Sequence, residues 1–250
     1  LIYGSSGSFH LAPPAIVPVK GFAIEQYLLS AGLLLIFAAM NFKVSAAPFH
    51  FWTPDVYDGA PSVFTSFMST IVKAAGMIAF IRVFENQYTV LGPTWRIVVD
   101  FVIVSTLLIG NITAVFQQSV KRMLAYSSIA QAGFMLLAVY AINGDSKEGL
   151  LLYAASYSLA TIGIFAVLSH LQDYTFEGFN GLAKKQPTLA VLFVLFALAN
   201  IALPLTNAFV GEFLMFNSLF QFNHWIAAIA GVSIVLAAIY TLNMVQKVAY

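Results

Sequence analysis

The sequence predicts an all-α fold, a polytopic transmembrane helix bundle of about seven spans, on three observations. Of 250 residues, 60% are hydrophobic and only 8% are charged, against about 25% charged residues in soluble domains. The 11 Lys+Arg nearly cancel the 10 Asp+Glu to leave a formal charge of +1, and mean hydropathy is +0.88, so the chain is apolar rather than merely balanced. The few charges are also spaced far apart, and a hydrocarbon core about 30 Å thick takes about 20 apolar residues of helix. A water-soluble domain and a basic face for nucleic acid are both excluded. Cysteine is absent, which excludes disulfides, thiolate metal sites, cysteine-ligated iron–sulfur clusters and cysteine nucleophiles.

The charges mark out the spans. Gln26 to Phe42 carries none, and Gly59 to Ile81 carries only Lys73. Phe101 to Val120, Met123 to Gly144 and Gly149 to Gln172 are likewise uncharged, and between Gln186 and Gln246 only Glu212 and His224 interrupt a stretch with room for two crossings. Runs this long without alternation read as helices, since a barrel strand would alternate apolar with polar. The connections Glu85–Arg96, Gln117–Arg122, Asn143–Glu148 and Asp173–Pro187 are too short for a soluble domain, so residues 1–250 read as one transmembrane domain. Asp55 to Ser62 reads as a loop launching the second span, with Pro61 near its first turn. Leu1 in place of Met suggests a piece of a longer product. Lys121, Arg122, Lys184, Lys185 and Lys247 fall on one side, and Lys20, Arg82, Arg96 and Lys147 on the other. The first set is expected to face the cytoplasm.

Two prolines fall inside apolar runs, Pro48 and Pro204. Each removes a helix hydrogen bond, so discontinuous helices are expected near both. A pair of interrupted spans far apart in the chain is the pattern of transporters built from inverted repeats. Around Pro204, non-helical backbone is expected near Leu205 to Asn207.

Three charges in or beside spans are the candidate site. Lys43 ends the first span, seven residues before His50, and reads equally well as a lysine reaching for the interface. Lys73 lies 15 residues into its run, too deep to reach water, with Ser69 and Thr70 a turn earlier. An ionisable group there costs at least ~3 kcal/mol on insertion scales, so it must face a bundle interior or a wetted cavity. Lysine can part with its proton when desolvated, which suits it to transport. The plainer alternative is a lysine buried only to bond a neighbouring helix's carbonyls. Glu212 follows Gly211 in the run interrupted by Pro204, where a broken helix with a carboxylate could bind ions or order water. Gln131, with Asn111, Gln117, Gln118, Ser127, Ser128, Tyr153, Ser156 and Tyr157, could hold water in file, although each is more often a packing contact. His10, His50, His170 and His224 lack ligand spacing, so no metal site is expected.

The segment Phe42-Lys43-Val44-Ser45-Ala46-Ala47-Pro48-Phe49-His50-Phe51-Trp52-Thr53-Pro54-Asp55-Val56-Tyr57-Asp58-Gly59-Ala60-Pro61 closely resembles the signature of the antiporter-like membrane subunits of respiratory complex I, NADH-quinone oxidoreductase, with subunit N (subunit 2) the best match. Val72-Lys73-Ala74-Ala75-Gly76 and Lys121-Arg122-Met123-Leu124-Ala125-Tyr126-Ser127-Ser128-Ile129-Ala130-Gln131-Ala132-Gly133 resemble two further family motifs in the same order. Phe179-Asn180-Gly181-Leu182 to Pro187 is similar to the loop before the family's later broken helix. The resemblance implies helices seven to thirteen of a fourteen-helix, proton-translocating subunit. It also implies a buried hydrophilic axis of Lys43, Lys73 and Glu212, with a glutamate that pairs with the first lysine falling before Leu1. Two positions depart from subunit N: Glu212 stands where lysine is usual, as in sister subunit M, and Gln131 where histidine is frequent.

The resemblance further implies that this is a subunit of a proton-translocating NADH:quinone oxidoreductase, a translocase, with no redox or catalytic centre and no cofactor in this chain. NADH, flavin, iron–sulfur clusters and quinone belong to other subunits. Its expected partners are the other membrane subunits, including sister antiporter-like subunits, with the lipid bilayer, protons and water, and no nucleic acid. The expected location is a bacterial inner (cell) membrane, as a multi-pass protein. The alternatives are a subunit of a multi-subunit cation/proton antiporter and a non-pumping structural membrane subunit.

Overall fold

In apolar surroundings every backbone amide must find its partner within the chain, so the uncharged runs close into helices. The computed structural model describes residues 1–3, 23–85, 88–171 and 173–249. His10 and Lys20 lie outside them. Six helices are each long and apolar enough to cross a membrane. In chain order the helices are α1 (Ala23–Val44), α2 (Trp52–Gly59), α3 (Ser62–Phe84), α4 (Tyr88–Val115), α5 (Val120–Tyr140), α6 (Gly144–Leu168), α7 (Leu182–Lys185), α8 (Pro187–Asn200), α9 (Asn207–Phe220) and α10 (His224–Ala249).

Helix α5 is the axis of the bundle: 89% of its span is buried, against 28–56% for the other crossing helices. It packs against α2, α3, α4, α6, α9 and α10. Small residues permit this crowding. A Cβ built on Gly110 of α4 would stand 2.6 Å from the Ala130 backbone nitrogen of α5, so only glycine lets the two backbones meet there. At one end of the bundle, Phe37, Phe80, Phe84 and Trp95 lock α1, α3 and α4 together, with ring centroids 4.5–5.8 Å apart in edge-on, tilted and stacked pairs.

The break at Pro48 is present, and it lies deeper than the sequence places it. Phe37 meets Phe80, and the Val44 side chain lies where a Cβ on Gly76 would go. The last turn of α1 therefore lies beside the middle of α3, not at an interface. Trp52–Gly59, read from sequence as including the start of a loop, is helical and carries the crossing onward. Pro54 sits in its first turn, where the missing N–H has no partner to lose.

The second break spans residues 201–206, four residues earlier than expected at its start, and helix resumes at Asn207. Pro204 has no N–H for the Asn200 carbonyl, so the ladder ends at Asn200. Neither α8 nor α9, at 14 residues each, crosses alone. Both nonetheless lie along α6 in one antiparallel register. Phe196 meets Gly163, Asn200 meets Thr161, and Gly211 and Met215 meet Gly149. Glu177–Lys185 and Pro187–Asn200, bent by 120° from one another, are a further, broken candidate span.

Both breaks are capped in the same way. At α1, the Ser45 N–H bonds the Phe42 carbonyl (3.2 Å) and the Ala46 N–H bonds the Asn41 carbonyl (2.8 Å). At α8, the Ala202 N–H bonds the Ala199 carbonyl (3.2 Å) and the Leu203 N–H bonds the Leu198 carbonyl (3.3 Å). This is the Schellman pattern. Its left-handed position is held by Ser45 (φ 66°) and Ala202 (φ 52°) rather than glycine, at a cost of about 1 kcal/mol each. A proline follows within three residues, and the Ala47–Pro48 peptide is cis.

The cap at Ala202 makes a prediction for the intact protein. Ala202→Val should lower the melting temperature, because a β-branched residue is an outlier at positive φ, while Ala202→Gly should leave it equal or higher. Equal destabilisation by both would contradict this geometry.

Candidate functional site

Lys73 sits one residue past a π-helical turn, Met68–Val72, inside α3. Ser69 and Thr70 hydroxyls donate back to the Ser66 carbonyl (3.1 and 2.6 Å). The lysine ammonium donates to both the backbone carbonyl and the hydroxyl of Ser128 on α5, with Lys73 only 2% exposed. Lys73 thus points into the bundle and finds partners there, one of them a neighbouring helix's carbonyl.

From Ser128 the polar groups continue across the bundle. Tyr57 and Tyr157 lie near its hydroxyl, and Tyr157 also lies near Thr161. The Asn200 amide, at the last residue of α8, donates to Thr161 Oγ1 at 2.8 Å. One turn along α6, Tyr153 stacks parallel to Tyr157 (6.1 Å) and its hydroxyl donates to Gln131 Oε1 on α5. Glu212 is buried near Tyr153 and near Tyr240 of α10. The Tyr240 hydroxyl in turn lies 3.0 Å from Ser127 Oγ and 3.4 Å from Asn111 Oδ1, donating one bond. A line of hydroxyls, phenols and amides therefore runs from a buried amine on α3 to a buried carboxylate on α9, across α5 and α6.

Glycines set the carboxylate end. A Cβ on Gly211 would lie 2.7 Å from the Tyr153 backbone nitrogen and 2.8 Å from the Gly149 carbonyl oxygen. That close approach of α9 to α6 brings Glu212 to Tyr153.

The other expected residues are placed differently. Lys43 is exposed on the last turn of α1, at the depth of Gly76, one turn beyond Lys73. Helix ends at Val44, so His50 does not share a helical face with it. His50 is buried in the break, stacked on Phe51 at 4.9 Å, and its Nδ1 has no hydrogen-bond partner among the described residues. Pro48 and Pro204 lie in the two breaks. No group of three or more His, Asp or Glu is arranged to hold a metal among the described residues.

Sequence reading missed two features. Tyr240 was not singled out, although a tyrosine in an apolar run needs a partner for its hydroxyl and could have been flagged for that reason. Lys121 reads as a loop charge, yet it is buried, donating to the Ala60 carbonyl at 2.8 Å and lying 4.6 Å over the Tyr174 ring. Beside it, Arg122 pairs with Asp55 (3.2 Å) and Asp58 (3.7 Å), fastening α2 to the start of α5. These pairs are largely exposed and contribute at most about 1 kcal/mol. A strap completes the end: Thr175 bridges Ser119, and the Asp173 carboxylate, which accepts from the Thr175 amide at 2.8 Å, is held below the usual carboxylate range by that bond.

Two stability outcomes follow in the intact protein. Gly211→Val should destabilise by about 1–3 kcal/mol, because α9 must move off α6. Lys73→Met, which keeps the packed stem and removes a buried charge, should unfold at the wild-type temperature or above. Thermal unfolding in detergent measures both, and a stable Gly211→Val protein would contradict the approach described.

Residues 1–237 match the family described as NADH:quinone oxidoreductase/Mrp antiporter, TM. The chain is 41% identical over 224 residues to NADH-quinone oxidoreductase subunit N 1 of Aquifex aeolicus, covering 88% of this chain and 46% of that protein. It is 36% identical to subunit N 1 of Herpetosiphon aurantiacus, covering 98% and 52%. Among solved structures, a chain of respiratory complex I from Thermus thermophilus with bound aureothin superposes with a TM-score of 0.82 at 36% identity, covering 98% of this chain and 53% of that one. A chain of the Mrp complex from Dietzia sp. shares the fold, with a TM-score of 0.81 at 22% identity over 99% of this chain and 46% of that one. The chain spans about half the length of the curated relatives it matches. With its six long apolar helices and the broken seventh crossing, it is a multi-pass integral membrane protein, and it belongs to the NADH:quinone oxidoreductase/Mrp antiporter transmembrane family.

Proposed function

We propose that this chain is the proton-conducting part of an antiporter-like subunit of NADH-quinone oxidoreductase, moving protons across a bacterial inner membrane while other subunits carry the NADH, flavin, iron–sulfur and quinone chemistry. The single observation that carries the reading is a buried polar cluster with Lys73 hydrogen-bonded to Ser128 at one end, the stacked Tyr157 and Tyr153 with Gln131 in the middle, and buried Glu212 near Tyr153 at the other. A buried amine and a buried carboxylate joined by rotatable hydroxyls form two proton-holding sites with groups between them that both donate and accept. Protonation of one site alters the other. Two charges about 10 Å apart in an effective dielectric of about 20 interact by about 1.7 kcal/mol, more than tenfold in occupancy.

Lys43 is the proposed entry group. An exposed ammonium beside the middle of α3 does not tolerate lipid, so the intact subunit must cover it with another polar segment. A proton arriving on Lys43 would favour release from Lys73, and Glu212 would receive it with water bridging the gaps. The neighbouring partners are the other membrane subunits, sister antiporter-like subunits included. The subunit N relatives favour this assembly over a cation/proton antiporter.

A second reading, a non-pumping membrane scaffold, draws on one observation: the Lys73 ammonium is already bonded to the Ser128 carbonyl. Pumping separates the two. In the intact complex in sealed vesicles, Lys73→Met and, separately, Glu212→Gln should lower the proton-to-electron ratio while the complex still assembles. Wild-type ratios in both variants would favour the scaffold and end the pumping proposal.

A further inference from the structure

Away from this polar line, α7, α8 and the last turns of α10 enclose an open groove of about 360 Å³ lined by Ala183, Val191, Val194, Leu195, Val245 and Val248. The lining is aliphatic, and Val191 and Leu195 are 59% and 58% exposed at its rim. Water gains no hydrogen bonds in such a trough, and an empty one forfeits dispersion contacts, so within a membrane it takes up hydrocarbon.

One end of the trough is cationic. Lys184 and Lys185 directly follow Ala183, and Lys247 stands between Val245 and Val248 in the last turn of α10. All three lysines are exposed, and none forms an ion pair among the described residues. From Pro187 to Asn200, α8 carries no charge. Three unpaired ammonium groups at the interface and an aliphatic channel running inward match a molecule with an anionic head and a hydrocarbon tail. A zwitterionic headgroup would bring its own cation to the lysines and gain less.

We propose that this groove binds one anionic phospholipid, its phosphate at Lys184, Lys185 and Lys247 and one acyl chain along the aliphatic lining. Basic clusters at the membrane surface contribute about 1 kcal/mol of attraction to anionic lipid per residue, and the tail adds burial within the protein.

The test uses the intact protein in phosphatidylcholine nanodiscs containing a phosphatidylglycerol with a photoactivatable group on its acyl chain. Label is expected on the peptides carrying Val191–Leu195 and Val245–Val248. A variant combining Lys184→Gln, Lys185→Gln and Lys247→Gln should lower phosphatidylglycerol labelling there by about tenfold or more and leave labelling by a phosphatidylcholine analogue unchanged. Val191→Trp, at an exposed rim position, should block both lipids at this groove. The proposal is overturned by label spread evenly over the lipid-facing surface, by an undiminished signal in the lysine variant, or by cross-linking of this groove to another protein segment with no lipid label.

Discussion

A lysine ammonium enclosed by a membrane bundle must be hydrogen-bonded or discharged, and the interior is arranged around that requirement at Lys73. Its partner, Ser128, sits on α5, the most enclosed helix of the bundle. Three polar residues within two turns of α5 face different neighbours. Ser128 accepts from Lys73 of α3, Gln131 accepts from Tyr153 of α6, and Ser127 bonds Tyr240 of α10. An enclosed helix has no solvent to satisfy such groups, so each fixes the position of a neighbouring helix as well as its own. Close approach of backbones at Gly110 and Gly211 keeps these groups within reach of one another.

The two helix breaks are the second device. Each ends a helix with the same pair of capping bonds and a left-handed residue that is not glycine. In water such ends would be solvated. In the bundle their groups are met by side chains: Trp52 Nε1 donates to the Phe42 carbonyl at 3.0 Å, and Thr106 accepts from the Ala47 amide at 2.9 Å. Lys43 stands in the last turn of α1, before the first break, where the helix-end dipole favours a cation.

Much of this was legible because spans announce themselves through missing charges. Lys73 could be placed inside the bundle from its depth alone, and the break at Pro204 from the absent N–H. The π turn at Met68–Val72 was not legible, since its Ser, Thr, Ile and Val are modest helix formers that occur in ordinary helices as well. The helical state of Asp55–Gly59 was hidden because its polar residues, followed by Gly59 and Pro61, read as a loop. The depth of Lys43 was hidden for another reason: the length of an apolar run locates a span but not where along it a break falls.

The proposed function requires Lys73 and Glu212 to sense each other through the groups between them. The direct measurement is the pH profile of the Glu212 carboxyl band by infrared difference spectroscopy on the intact protein, assigned by its loss in Glu212→Gln, in wild type and in Lys73→Met. The profile should be displaced when the amine is removed, with a smaller displacement in Tyr153→Phe, which keeps the amine and removes one hydroxyl beside Glu212 together with its bond to Gln131. Superimposable profiles in wild type and Lys73→Met would show two independent buried groups and contradict the coupling.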